Sequence, residues 1–391
     1  MKKSYDVIVV GLQLVGAAAL WKLSKMGLKV LGIDQNNPPH NLGSSHGDSR
    51  IYRQAIGEGD FYTPFALRSC ELFRELEFDT GLNILTSNGV LIMVSQNDRS
   101  ILHGNPDFLG ETIRAAEKYK EHIPDHKILY TAEIHRRFTQ FNLVGDEVGY
   151  YEPTAGFLRP ENAITAELSL ASKLGAEIVT NQKVLDVIPR GNQVKVLTSE
   201  GDYYAERVIL SVGSWISRFL PVGLKGLFEV HRQILFWFDI LSNYTSFLPE
   251  NFPVFIWQRD GKFVYGFPAI NGPEGGLKVA SEVSEMTNPD LVKREVLIQE
   301  IKEFYNSQIK GYFTDLSPAC LKAVVCKYTN TPDGHFIIDY YPGHKNIIIT
   351  SPCSGHGAKH SPATGEAAAE LAVDGKTTLD ISPFRLNRFK I

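Results

Sequence analysis

Three short segments of this 391-residue chain carry residue types whose spacing could do chemistry. The first is Gly11-Leu12-Gln13-Leu14-Val15-Gly16, followed at a distance by Asp34. A glycine turn that opens a helix lets backbone N–H groups approach a pyrophosphate, and an acid ending the next strand accepts hydrogen bonds from ribose hydroxyls. Gly11 and Gly16 fit that pattern. Gln13 stands where a middle glycine would let the phosphate approach most closely, so its side chain must point away or the phosphate must shift. The second segment is S-H-G-D-S-R-I-Y-R, which holds His46, Asp48, Arg50 and Arg53. If it is helical, both guanidinium groups emerge on nearly the same side. Such a pair suits a carboxylate or an electron-rich ring, because Arg stays charged and forks bidentately; a solvated basic face paired with Asp48 and Glu58 explains it equally well. The third is Ser351 to His360, with small residues around His356 and then Lys359. Exposed N–H groups there could cradle a polar cofactor edge, or the segment is a plain loop.

The remaining reactive groups read more plainly. Cys326, in the apolar run A-V-V-C-K-Y-T, has the setting of a buried core thiol, and Lys278 in G-G-L-K-V-A that of a half-exposed strand lysine. His231, His335 and His344 are scattered singly, so no metal site is expected.

The elements around these groups have a consistent grammar. Tyr5 to Val10 is a short β-branched run ending at Gly11, as expected of a strand buried on both faces. Ala17 to Met26 has helical spacing and stops at Gly27, and Val30 to Asp34 is a second strand. Together they form one βαβ unit of a dinucleotide-binding sheet. Asn36 to Asp48 is an extended loop, Phe65 to Phe78 and Ala163 to Leu174 are helices, and Ala176 to Thr180 is a strand. Val194 to Val212 forms a hairpin that returns to the sheet. The runs ILFWF, VFIW, FVYGF and LKVA between Ile234 and Ala280 describe an antiparallel sheet. Two strands, Phe336 to Asp339 and Asn346 to Thr350, then a helix from Thr364 to Val373, repeat the opening grammar. The expected fold is therefore α/β (α+β). A discontinuous dinucleotide-binding, Rossmann-like domain covers 1–88, 149–220 and 321–391, and an inserted antiparallel-sheet domain covers 89–148 and 221–320.

Composition narrows the function. Lys and Arg total 40 against 44 Asp and Glu, net −4 with no long run of either sign, so a basic nucleic-acid footprint is missing. Met1-Lys2-Lys3 before the apolar run Val7–Trp21 imitates a signal peptide, but Asp6 and Gln13 argue against one and the run is too short to span a bilayer. No membrane span is expected. The four cysteines, Cys70, Cys320, Cys326 and Cys353, form no C-x-x-C pair, which points to free thiols in a reducing, cytoplasmic compartment.

Taken in order, several segments resemble one family: Y-D-V-I-V-V-G, P-P-H-N-L-G-S-S-H-G-D-S-R-I-Y-R, Arg232-Gln233, Y-G-F-P from Tyr265, G-L-K, V-C-K-Y-T, H-F-I-I-D from His335 and S-G-H-G-A-K. The chain is similar over nearly its whole length to monomeric sarcosine oxidase and N-methyltryptophan oxidase, flavoproteins of the glycine-oxidase-like group. The resemblance implies FAD attached through Cys326, an oxygen-activating Lys278, and Arg50 flanking the flavin. It further implies that Arg53 and Lys359 hold a substrate carboxylate, that Tyr265 and Tyr328 form an aromatic wall, and that His46 lies beside the flavin. Catalytic roles accordingly fall on Lys278, Arg50, His46 and Tyr265, and substrate contacts on Arg53, Lys359, Tyr328, Glu282 and Ile256. Cofactor contacts are expected first at Gly11, Gly16, Asp34, Ser44, Ser45 and Arg50. The others are Val184, Cys326, Gly355, His356, Gly357 and Lys359. The implied activity is an FAD-dependent oxidase of N-methyl or N-alkyl amino acids, yielding aldehyde, primary amino acid and H2O2. Its partners would be a small amino acid substrate and O2, and the protein would be a monomer. The chain departs from the family at Gln13, at Glu282, where the family has a histidine, and at Ile256, which replaces a methionine; the last two bear on the substrate's identity. A dehydrogenase passing electrons to another carrier, or a flavin-binding protein without turnover, remain the alternatives.

Overall fold

The computed structural model describes residues 4–96, 98–282, 285–351 and 354–389. The opening run forms strand β1 (Ser4–Val10), buried from Val7 onward, and the chain turns at Gly11 into helix α1 (Leu14–Lys25) before strand β2 (Val30–Ile33). β1 pairs in parallel with β2 on one side and with the strand Gly201–Leu210 on the other, as a both-faces-buried strand should. The sheet continues through Glu177–Val179 beyond β2. On the far side Gln193–Thr198 and Val184–Arg190 follow in antiparallel order, and His344–Thr350 joins Gly201–Leu210 in parallel. Val184–Arg190 was not foreseen; its strand mixes exposed and half-buried positions and carries Pro189, so no clean alternation marks it.

α1 packs against the helices Pro160–Lys173 and Ser361–Val373. Buried alanines, among them Ala17, Ala18, Ala363 and Ala367, let the axes come close. One consequence is functional: the N-terminal ends of α1 and of Ser361–Val373 reach the same cavity.

The second, larger sheet is built on the long strand Glu229–Ile240, paired antiparallel with Leu316–Asn330 and with Leu277–Ala280. It runs on through Lys262–Phe267, Val254–Arg259, Val90–Ser95 and Glu147–Glu152. The sheet is not wholly antiparallel: Val90–Ser95 and Val254–Arg259 pair in parallel. The boundaries expected at 149 and 321 fall inside strands of this sheet, Glu147–Glu152 and Leu316–Asn330. A separate three-stranded sheet pairs strand β3 (Arg50–Tyr52) with Gly156–Leu158, and that strand with Leu85–Thr86.

β3 replaces the helix considered for the arginine pair. Arg53 lies just past its end, and the two side chains reach the same cavity at different partners, Arg50 beside Cys326 and Arg53 beside Glu58. No helix among the described residues is long and apolar enough to cross a membrane, and none of their His, Cys, Asp and Glu side chains cluster as a metal site.

Candidate active site

One elongated cavity runs from the β1–α1 turn to the face of the larger sheet. At its first end Gly11 sits at φ +87°, and a Cβ there would lie 2.3 Å from the Ser211 carbonyl oxygen; one on Gly16 would lie 1.8 Å from the Gly11 carbonyl oxygen. Both positions therefore need glycine. Gln13 lies in ordinary extended backbone, and its side chain turns toward the 40–43 loop, donating to the His40 carbonyl at 3.4 Å. The start of α1 has no side-chain cap, so its first N–H groups lack intrahelical partners. Asp34, 5% exposed, accepts from the backbone N–H groups of Leu12 and Asn36, each at 2.8 Å, which fixes its carboxylate at the cavity wall.

The wall also holds buried polar atoms without hydrogen-bond partners: Gln13 Oε1, Thr350 Oγ1, Ser361 Oγ, Thr364 Oγ1 and Lys327 Nζ, the last lying 3.7 Å from the centre of the Trp215 ring. Burying so many unsatisfied groups is costly unless a polar ligand completes them. A glycine cradle, an uncapped helix start, a ribose-competent acid and these orphaned atoms together fit an extended dinucleotide such as FAD.

At the other end Cys326, 2% exposed on Leu316–Asn330, has its Sγ 3.5 Å from the Arg50 guanidinium and 3.6 Å from the Ser44 carbonyl oxygen. Arg50 also donates to the Ser49 and Ser44 carbonyls. Lys278 is buried rather than half-exposed. Its Nζ donates to the carbonyls of Gly47 and Ser49, both at 2.7 Å, lies 3.1 Å from Ser49 Oγ, and sits 4.3 Å from the centre of the Phe267 ring. Burial and the neighbouring Arg50 draw its pKa well below that of a free lysine. Tyr265 and Tyr328 meet hydroxyl to hydroxyl at 3.1 Å, and burial pushes Tyr265 up to about 12. Both phenols stay protonated at neutral pH.

Beside them lies a buried charge network. Arg53, 2% exposed, donates to the Ala55 carbonyl at 2.7 Å and pairs with Glu58. Lys359 Nζ is 3.5 Å from the other Glu58 oxygen and donates to the His356 carbonyl at 2.8 Å. Burial pushes the Glu58 carboxyl up, but Arg53 and Lys359 outweigh it and hold it well below the usual carboxylate range. His103 stands between two acids, with Nδ1 2.8 Å from Glu282 and Nε2 3.9 Å from Glu58.

Of the residues given catalytic, substrate or cofactor roles from the sequence, all but Gly16 and His46 line this cavity, Ser44, Ser45, Val184, Ile256, Gly355 and Gly357 included; Asp48 does not. Gly16 acts by close packing behind the turn. His46 is buried without lining the cavity, its Nε2 unpartnered, and burial with Arg50 and Lys278 pulls its pKa down to about 3. Glu282 lines the cavity, bound to His103 and partly exposed, and no lysine among the described residues pairs with it. Within the Ser351–His360 segment, Pro352 and Cys353 lie outside the described residues. Sequence reading missed His103, a lone histidine in an unpatterned loop, and Lys327, hidden beside Cys326; Glu58 was seen only as a surface partner.

The sequence model described as FAD dependent oxidoreductase matches residues 6–371. Monomeric sarcosine oxidase of Streptomyces avermitilis is 38% identical over 389 residues, covering 98% of this chain and 97% of that protein. N-methyl-L-tryptophan oxidase of Salmonella dublin is 32% identical over 391 residues, covering 98% and 99%. Among solved structures, the open form of NikD, an unusual amino acid oxidase essential for nikkomycin biosynthesis, superposes with a TM-score of 0.79 at 20% identity, covering 98% of this chain and 97% of that one. Glycine oxidase of Geobacillus kaustophilus superposes at 0.75 and 17% identity, covering 99% of each chain. At those identities the structures speak for the fold alone. The dinucleotide cradle and the full-length sequence matches lead to one assignment: this chain belongs to the FAD-dependent oxidoreductase family.

Proposed function

We propose that the protein oxidises N-methyl or N-alkyl amino acids with O2 as acceptor. The observation that carries this reading is the convergence, in one cavity, of Cys326, Lys278 and the Tyr265–Tyr328 wall with the buried cations Arg53 and Lys359. FAD, when bound, supplies two-electron acceptor chemistry. Arg53 and Lys359 already surround one carboxylate, that of Glu58, so a substrate carboxylate finds two oriented donors there. Held at that end, the substrate presents its N-alkyl carbon toward Tyr265, Tyr328 and Cys326. That carbon loses two electrons and a proton, and the nitrogen a second proton, as their C–N bond becomes an imine. Water cleaves the imine to aldehyde and primary amino acid, and O2 takes up the two electrons and two protons as H2O2.

Three further assignments belong to the same reading. Cys326 is the covalent attachment point of FAD, its thiol held against Arg50 at the cavity wall. Lys278 serves the reaction with O2 by placing a cation where negative charge develops. The protein works as a monomer in a reducing, cytoplasmic compartment, with the parallel sheet holding the dinucleotide and the larger sheet the substrate; the free thiols Cys70, Cys320 and Cys326 suit that compartment.

A peroxide assay over a panel of N-methyl amino acids, run on the yellow holoprotein, tests the reading. Peroxide and aldehyde formed together are expected. Aldehyde formed only with an added electron carrier would replace the oxidase by a dehydrogenase, and a silent panel would leave a flavin-binding protein without this turnover.

A further inference from the structure

Glu282 and His103 form a pair that the carboxylate-binding network does not use. Glu282 follows the strand Leu277–Ala280, lines the cavity, and keeps its side chain 24% exposed. Burial is the main cause that raises Tyr265 and Tyr328, and the charge of Glu282, which lines the cavity with them, adds to it. Glu282 meets His103 through Oε1, and among the described residues its Oε2 has no ion pair, so the carboxylate keeps acceptor capacity. Ile256 and Leu102 line the same cavity as Glu282 and supply apolar surface to its wall.

We propose that Glu282, clamped by His103, is the specificity-determining group of this site and selects amino acids whose side chain ends in a cation or a hydrogen-bond donor. The inference rests on the reading above that the cavity takes an amino acid by its carboxylate at Arg53 and Lys359. An alkyl stem then packs along Ile256 and Leu102, and its polar end meets Glu282.

The clamp also sets how strongly Glu282 selects. His103 is faced by Glu282 and Glu58 at its two nitrogens, by Lys359, and by the His356 ring at 5.3 Å. Burial opposes protonation of His103, but the two glutamates outweigh it and raise its pKa above the ordinary value. Below that pKa the His103–Glu282 pair is neutral overall. Above it, His103 still donates through Nδ1 and the pair carries a full negative charge. Preference for a cationic tail therefore grows as pH rises through the His103 titration.

The test compares L-lysine with L-norleucine, which share a stem and differ in the terminal ammonium, as ligands of the holoprotein by calorimetry from about pH 6 to 9. Lysine should bind roughly tenfold more tightly at the alkaline end, with a smaller ratio at the acid end. Glu282→Gln, which keeps the shape, should bring the ratio near one at every pH. His103→Asn should keep the alkaline ratio throughout. Equal binding of both ligands, or a lysine preference that survives Glu282→Gln, would overturn the proposal. Oxidation of a panel of N-methyl amino acids that includes N-methyllysine, measured alongside, tests the underlying reading separately, because the binding ratio requires no turnover.

Discussion

Lys278 holds three oxygen acceptors inside the protein while burial and Arg50 weaken its hold on the proton. If its charge serves the O2 reaction, Lys278→Met should slow reoxidation of the reduced enzyme far more than its anaerobic reduction by substrate, seen by stopped-flow absorbance. Because the pKa is lowered, the wild-type reoxidation rate should fall with rising pH well before a free lysine would titrate; Lys278→Met should lose that step. Arg53 makes a different case. Removing it leaves Glu58 buried with Lys359 as its remaining strong partner, and breaking a buried pair costs about 3 to 5 kcal/mol. Arg53→Met should lower the melting temperature and raise KM for an amino acid while leaving the already weak use of its amine analogue unchanged. The stability loss has a sign in pH: the depressed Glu58 pKa stabilises the fold above the unfolded carboxyl pKa, and this contribution fades as pH falls. For Cys326, acid precipitation should carry the yellow chromophore down with the protein, and Cys326→Ala should release it. At this scale the sequence marked most of the site through its resemblance, since residue types alone leave Cys326 a core thiol and Lys278 a strand lysine. His103 escaped because nothing local distinguishes a lone histidine that meets its glutamate across the chain.

The unit β1, α1 and β2 was legible from its pattern, because a both-faces-buried strand, a glycine turn and a helix each leave a local mark. β3 was not. Three residues are too few to show alternation, and its pairing with Gly156–Leu158 is a tertiary choice. The helix Pro160–Lys173 carries another feature that helical spacing conceals: Glu167 is fully buried and neither carboxyl oxygen has a partner. Burial pushes its pKa well above the usual value, so it is neutral in the fold and ionises on unfolding. A raised pKa gives stability that is lost as pH rises from the unfolded value through the folded one. Glu167→Gln should therefore raise the melting temperature at pH 8 and make little difference near pH 4. A melting temperature unchanged at both pH values would mean that the buried carboxyl costs nothing.

Across the whole molecule, the two sheets and the cavity between them follow from the order of strands and helices, which the sequence displays. Their edges were less legible: Leu316–Asn330 pairs along the larger sheet and carries Cys326, Lys327 and Tyr328 into the cavity, so no composition shift marks a boundary within it. The parallel pairing of Val90–Ser95 with Val254–Arg259 is equally invisible locally, since it joins segments far apart in the chain. The central claim, that this arrangement oxidises an N-alkyl amino acid and returns the electrons to O2, is tested most directly in two steps on one sample. Sarcosine or a larger N-methyl amino acid, added to the holoprotein without oxygen, should bleach the visible flavin absorption, and admitting O2 should restore it with peroxide and aldehyde in equal amounts. A flavin that no N-methyl amino acid bleaches, or one that stays bleached under O2 until another electron acceptor is supplied, would contradict it.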